Sequence, residues 1–256
     1  MEQLIYNLLS YINNSLEKDI NHSIATSLLE HIDQIHDYSL EMVAEVCNVA
    51  PSTINRFCKR IGFKNFSHLR KSVSFNVDPS TGLETDVVLN TKAFETQLNE
   101  NLAVIDNIVD EQMNHIIDCI HHANKIVILG FEKHQVQALE LQKKLFLLGK
   151  YCECHTNLFK QINTLSDLTE EDLIITISIE GNILAEDFAV IQKIQASLGK
   201  KLLITFSKET AHSKFFNDVL RCGNMNNKAV SNYTLLRLFD VLEDKYRQKM
   251  DKPKLV

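Results

Sequence analysis

The side chains with the clearest capacity for chemistry lie in one short stretch. Ser52, Thr53, Asn55, Arg56, Lys59 and Arg60 share the polar side of a helical repeat, and Lys64 follows them. Small hydroxyl residues at the start of a helix permit close approach to a surface, Asn and Arg bond base edges, and Lys and Arg hold phosphates. That chemistry is recognition of duplex DNA. A second group, Cys152-Glu153-Cys154-His155, offers metal-ligand types. Cys152 and Cys154 fall on one strand face with no second ligand pair in sight, so a buried strand is expected there and no metal. His121 and His122 end a helical stretch, where they interact with the helix dipole.

Charge supports the first group and nothing else in the chain. The formal net charge is −6, which by itself argues against a nucleic-acid binder. The average hides a segregation. Met1 to Glu45 carries eight acids and one base, Lys18, whereas Val46 to Val77 carries six bases (Arg56, Lys59, Arg60, Lys64, Arg70, Lys71) and no acid. Beyond Val77, 20 bases and 25 acids are interspersed as on an ordinary solvated surface. Lys59, Arg60, Lys64, Arg70 and Lys71 are therefore the expected phosphate contacts.

The elements that must position these residues can be read from the apolar spacing. With 256 residues, 45% of them hydrophobic, 7 Gly, 3 Pro and no Trp, the chain suits one or two largely helical domains with a sizeable core. Leu4, Ile5, Leu8, Leu9 and Ile12, then Ile24, Leu28, Leu29, Ile32 and Ile35, mark at least two scaffold helices. Ser39 caps a helix Leu40 to Cys47. The turn Asn48-Val49-Ala50 leads to Pro51 at the first position of a helix Pro51 to Ile61, with Ile54, Phe57, Cys58 and Ile61 as its apolar stripe. Gly62 stops it. This is a helix-turn-helix layout.

Asp78-Pro79-Ser80-Thr81-Gly82 reads as a turn or linker, which divides the chain into a helix-turn-helix domain (1–77), a linker (78–90) and a second domain (91–256). One or two helices over Lys92 to His122 open that domain. A strand Lys125 to Gly130, a helix Gln135 to Leu148 and a strand Tyr151 to His155 then form a βαβ signal. The pattern recurs as a strand Asp172 to Ser178, a helix Asn182 to Leu198 and a strand Lys201 to Phe206. In both units a Leu-Gly-Lys sequence ends the helix, with Gly149 and Gly199 expected as left-handed C-caps. A fifth strand, Asp218 to Cys222, and a closing helix, Lys228 to Lys249, complete a parallel sheet covered on both faces. In that last helix Ser231, Leu235, Leu236, Leu238, Phe239, Val241 and Leu242 form a face for core or dimer contact.

The stretch Ser39 to Arg70 resembles the DNA-binding domain of RpiR-type bacterial transcriptional regulators. The most telling segment is Arg56-Phe57-Cys58-Lys59-Arg60-Ile61-Gly62-Phe63-Lys64-Asn65-Phe66. The resemblance implies an all-α helix-turn-helix domain followed by an α/β sugar-isomerase (SIS) domain, a five-stranded parallel αβα sandwich that senses phosphosugars. It further implies a ligand site in two loops, Gly130, Glu132, Lys133 and His134 after the first strand and Ser178, Glu180, Gly181 and Asn182 after a later one. The chain departs from the family pattern in both. Glu132 and His134 replace glycine and serine, and Glu180 and Ile183 replace hydroxyl residues. Two carboxylates repel a phosphate dianion unless cations such as Lys133 compensate. Three readings follow for this domain: a sensor of a sugar phosphate or amino-sugar, a ligand-independent oligomerisation scaffold, and an isomerase using Glu132, Glu180 or His134 as base.

The expectation from sequence is a regulator that binds a two-fold operator in double-stranded DNA as a homodimer or tetramer, with no catalytic residue, no cofactor and no metal. A cytoplasmic location is expected. The start Met1-Glu2-Gln3 is no secretory signal, the six cysteines suit free thiols, and apolar runs such as Ile126 to Leu129 are far short of the roughly 20 residues that span a bilayer.

Overall fold

The computed structural model describes residues 2–74, 91–130, 134–179, 188–207, 213–224 and 228–250. The chain divides into two units, Met1–Val88 with Thr156–Lys160 and Leu89–His155 with Gln161–Val256. The linker expected at 78–90 lies outside the described residues.

In the N-terminal unit, side-chain caps and a proline set where several of the helices begin. The helices are α1 (Glu2–Asn14), α2 (Ile20–Glu30), α3 (Leu40–Val46), α4 (Pro51–Arg60) and α5 (Phe66–Ser74), with a 3-10 turn at Ile32–Gln34. Asp19 accepts from His22 N at 2.8 Å, and Ser39 accepts from Met42 N at 3.1 Å, as expected of N-caps. Pro51 opens α4, where its missing N–H would have had no partner. Asn48, at φ 51°, turns the chain between α3 and α4 in the left-handed region that Asn tolerates, and Gly62, at φ 97°, ends α4. The expected stripe is inward: Ile54, Phe57 and Cys58 are fully buried among Leu4, Leu8, Ile24, Val43 and Leu69. Tyr11 meets Phe57 edge to face at 5.5 Å, a geometry that adds to the area term. Burial pushes the Cys58 thiol up to about 12, so it behaves as a small apolar side chain.

The second unit opens with α6 (Thr91–Asp106) and α7 (Asp110–His122). It continues through β1 (Ile126–Gly130), α8 (Gln135–Leu147), β2 (Cys152–Glu153), α9 (Leu158–Thr164), β3 (Leu173–Ile177) and α10 (Phe188–Ala196). It closes with β4 (Lys200–Thr205), β5 (Asp218–Arg221) and α11 (Lys228–Met250). Every strand pairs in parallel, in the order β2-β1-β3-β4-β5. Residues of β1 and β3 are buried on both faces, which is why these segments read as continuous apolar runs. Ile126, Ile128, Leu173, Ile175, Leu202 and Ile204 share one core with Met113 and Ile117 of α7, Leu141 of α8 and Leu235, Leu238 and Phe239 of α11.

Three expectations are corrected. Gly149 does adopt φ 81°, but Gly199 is not left-handed. Among the described residues α10 ends at Ala196, and Gly199 leads into β4 beside Asp172 O, which accepts from Lys200 N at 2.8 Å. The strand expected over Tyr151 to His155 pairs only through Cys152 and Glu153, at one edge of the sheet. The sequence reading also leaves α5 and α9 unassigned; both are short, at nine and seven residues, and the stripe Phe66, Leu69 and Val73 of α5 spans only two turns.

Candidate nucleic-acid interface and ligand site

Burial of Ile54, Phe57 and Cys58 fixes the rotation of α4 and sends the opposite face to solvent. Ser52, Arg56, Lys59 and Arg60 are exposed, as is Lys64 just beyond the helix, while Thr53 and Asn55 are half-buried at the margin. Among the described residues, the one salt bridge in this unit joins His36 to Asp37, so the α4 cations have no carboxylate holding them. Arg60 contributes weakly to lowering the Asp19 carboxyl, whose main stabilisation is the His22 backbone N–H. The arrangement is an exposed cationic ridge on a helix whose other face is buried, suited to a phosphate-lined groove.

Two side chains carry structural duties that spacing alone does not reveal. Asn55 Oδ1 accepts from Phe66 N at 3.0 Å, satisfying a first-turn donor of α5 and leaving its own amide group to donate. Arg70, expected on phosphate, donates from Nη1 to Tyr38 O at 3.1 Å and is half-buried, so it fastens α5 to the segment before α3.

In the second unit the strand order marks where the candidate ligand residues expected from sequence fall. After β1 the chain moves to β2 on one side and later to β3 on the other, so β1 and β3 flank the topological switch point. Gly130 ends β1 directly opposite Ile177, which brings Gly130 and Ser178 together at the edge formed by the C-terminal ends of the strands. A Cβ on Gly130 would lie 2.5 Å from Ala138 Cβ and 2.9 Å from His134 O, so glycine is what lets the start of α8 pack against the strand end. The N-terminus of α8, with buried His134 at its cap, thereby faces that edge, where a helix favours anions. Glu132, Lys133, Glu180, Gly181 and Asn182 lie outside the described residues.

Sequence reasoning missed Gln161 because it missed α9. Gln161 is 2% exposed, and its Nε2 donates to Gly130 O at 3.1 Å and to Gln135 Oε1 at 2.9 Å. Its Oε1 has no partner among the described residues. The only signal in the sequence is the spacing of Leu158, Ile162 and Leu165.

The other singled-out residues are accounted for by packing. Cys152 is buried, its thiol raised by burial to about 12, and half-buried Cys154 accepts from Gln135 Nε2 at 3.5 Å. Glu153 pairs with Lys125 and His155. His121 Nδ1 lies 2.9 Å from Tyr246 Oη, and burial lowers its pKa, so the ring serves as a hydrogen-bonding partner. All six cysteines are free. Among the described residues, no helix is long and apolar enough to cross a membrane.

Comparison with known proteins agrees with both halves. Residues 6–79 match the helix-turn-helix domain of the rpiR family. An uncharacterized HTH-type transcriptional regulator of Haemophilus influenzae is 25% identical over 237 residues, covering 88% of this chain and 81% of that protein. The Vibrio vulnificus NanR protein, solved in complex with ManNAc-6P, shares the fold at 17% identity and TM-score 0.53 over 96% of this chain and 92% of its own. A putative sugar-phosphate isomerase from Listeria monocytogenes aligns with 64% of this chain and 92% of its own at 16% identity and TM-score 0.51. Residues 6–79 thus form a helix-turn-helix domain of the rpiR family, and the α/β domain that follows, with its five-stranded parallel sheet, shares its fold with NanR and the Listeria protein.

Proposed function

We propose that this protein is a transcriptional regulator that reads a two-fold operator in double-stranded DNA and answers to a sugar phosphate or amino-sugar phosphate. The observation that carries the reading is the solvent-facing ridge of α4, acid-free and without salt bridges among the described residues. Ser52, Thr53 and Asn55 approach base edges from the N-terminal half of α4. Arg56, Lys59, Arg60 and Lys64 hold phosphates on either side. Two such units, related by a dimer axis, match half-sites about one helical turn apart or a multiple of that, which makes a homodimer or tetramer the working form. A regulator of this kind works in the cytoplasm, where the DNA is.

The SIS-like domain supplies the sensor. The β1/β3 switch point, the glycine at Gly130 and the α8 N-terminus are the features that accept an anionic group. Gly130, Lys133, His134, Ser178, Gly181 and Asn182 are assigned to the ligand. Glu132 and Glu180 accept from hydroxyl or ammonium groups of the sugar. No catalytic step is assigned. NanR, similar in fold, was solved with ManNAc-6P, so that class is the first to try.

The test is thermal unfolding of the full chain against a panel of free and phosphorylated sugars and amino-sugars. A ligand at 100 times its Kd stabilises the native state by about 2.7 kcal/mol. The expected result is a selective rise in Tm that Ser178→Ala diminishes. No rise with any compound, from protein shown to be folded, overturns the sensor and leaves the domain as a scaffold.

A further inference from the structure

We infer a divalent-metal site of zinc type formed by His115 and Cys119 of α7 and Asp218 at the start of β5, separate from the ligand site proposed above. Their ligand atoms all lie within 4.8 Å of one another. His115 Nε2 is 3.2 Å from Asp218 Oδ2 and 3.7 Å from Cys119 Sγ. A tetrahedral zinc ion with bonds of about 2.0–2.2 Å to nitrogen and oxygen and about 2.3 Å to sulfur separates its ligands by roughly 3.4 Å (N to O) and roughly 3.6 Å (N to S). The two distances from His115 Nε2 match those figures.

Pairwise hydrogen bonding explains the cluster less well. One ring nitrogen faces both a carboxylate and a thiol. An Nε2–H donated to Asp218 leaves the Cys119 sulfur, 3.7 Å away, as a weak second acceptor only, and a bare Nε2 repels the carboxylate oxygen. A cation satisfies all three at once. The donor set also suits the charge: a thiolate and a carboxylate neutralise a dication, and imidazole nitrogen with thiolate sulfur selects zinc over magnesium or calcium.

The ligands are held before any ion arrives. His115 and Cys119 are four residues apart, so they rise from one face of α7, whose other face is pinned by Met113, Ile116 and Ile120. Gln112, one turn earlier, donates to Val219 O at 3.1 Å and ties α7 to β5 beside Asp218. Asp218 is fixed by the register Leu202↔Asp218 at the edge of the sheet. Because it opens β5, the cluster lies at the end of the parallel sheet opposite Gly130 and Ser178. The His115 side chain is 58% exposed, so ions reach the cluster from solvent, and three protein ligands leave a fourth position for water. Bound metal would staple α7 to the edge strand.

Tag-free full chain, reduced and stripped with a chelator, is titrated with Co(II) and then with Zn(II). The expected result is one Co(II) per chain with a thiolate-to-cobalt charge-transfer band and the strong visible bands of tetrahedral cobalt, both removed by Zn(II). Cys119→Ser abolishes the charge-transfer band. His115→Ala and Asp218→Asn weaken binding by more than about tenfold, the loss that even outer-shell substitutions cause at metal sites. Cys47→Ser and Cys154→Ser, away from the cluster, leave the spectrum unchanged, and far-ultraviolet dichroism verifies folding of each variant. A Co(II) complex without a thiolate band, or stoichiometric binding that survives Cys119→Ser, overturns the site.

Discussion

Asn55 separates folding from recognition in one side chain. Its Oδ1 accepts the Phe66 N–H at 3.0 Å, and that N–H is one of the first-turn donors of α5 that the helix itself cannot satisfy. Asn65 caps the same helix independently, accepting from His68 N at 2.9 Å, so α5 retains one cap when Asn55 is changed. Asn55→Ala removes one capping acceptor and leaves a part-buried donor without its partner, at a cost of about 1 kcal/mol within a range of about 0.5–2 kcal/mol. Asn55→Asp keeps the acceptor and places a carboxylate at the N-terminus of α5, where the helix dipole favours it. Stability is then retained to within about 0.5 kcal/mol. That carboxylate also faces the groove that α4 is proposed to enter, so DNA affinity falls in Asn55→Asp although the fold does not suffer. Amide hydrogen exchange of the full chain, resolved to the peptide covering α4 and α5, reads the first effect. A destabilisation of about 1 kcal/mol speeds exchange about fivefold in Asn55→Ala. Equal protection of α5 in Asn55→Ala and wild type would refute the capping argument, and undiminished DNA binding by Asn55→Asp would refute the placement of α4.

Two further changes probe the second unit. Gly130→Ala forces a Cβ to within 2.5 Å of Ala138 Cβ and 2.9 Å of the His134 carbonyl, and should lower stability by about 1–3 kcal/mol, read as a fall in Tm. Lys144 of α8 contacts Asp240 at 2.7 Å and Glu243 at 2.8 Å on α11, with its side chain 15% exposed. The Lys144 hydrogen bond, seconded by Arg247, holds the Glu243 carboxyl below its ordinary value. A carboxyl depressed in the folded state contributes stability above its unfolded pKa, about 4.3, and loses it as pH falls through the folded value. Denaturant titrations below about pH 4.3 should show that acid-side decline, and Lys144→Met should flatten it while costing about 1–2 kcal/mol at neutral pH.

The helix-turn-helix was legible because each of its boundaries has a local chemical cause. Ser39, Asn48, Pro51 and Gly62 act within their own turns, and the structure gives each the role its type suggests. The parallel strands were legible for a different reason: burial on both faces leaves an uninterrupted apolar run in the sequence. What spacing could not show was partnership across distance. Asn55 and Arg70 look like DNA contacts by type, yet one reaches 11 residues to cap α5 and the other reaches 32 residues to Tyr38. Gly199 repeats the Leu-Gly-Lys context of Gly149 without its conformation, because α10 has already ended and the residue instead approaches Asp172 O. The proposed ligand residues Gly130 and Ser178 came from the family resemblance and not from spacing, and Gln161 beside Gly130 was not legible because it arrives from a seven-residue helix whose short length hides its period. The His115, Cys119 and Asp218 cluster joins residues about a hundred positions apart and left no motif to read.

The central claim is that the exposed face of α4 binds DNA, and the most direct measurement is the salt dependence of that binding. A duplex enriched from random sequence by the wild-type protein is titrated with wild type and with Arg56→Ala/Lys59→Ala over a range of salt. The variant should bind more weakly at every salt concentration, with the slope of log K against log salt shallower by about 0.9 for each phosphate that it no longer neutralises. A folded variant with the affinity and salt slope of wild type would contradict that claim.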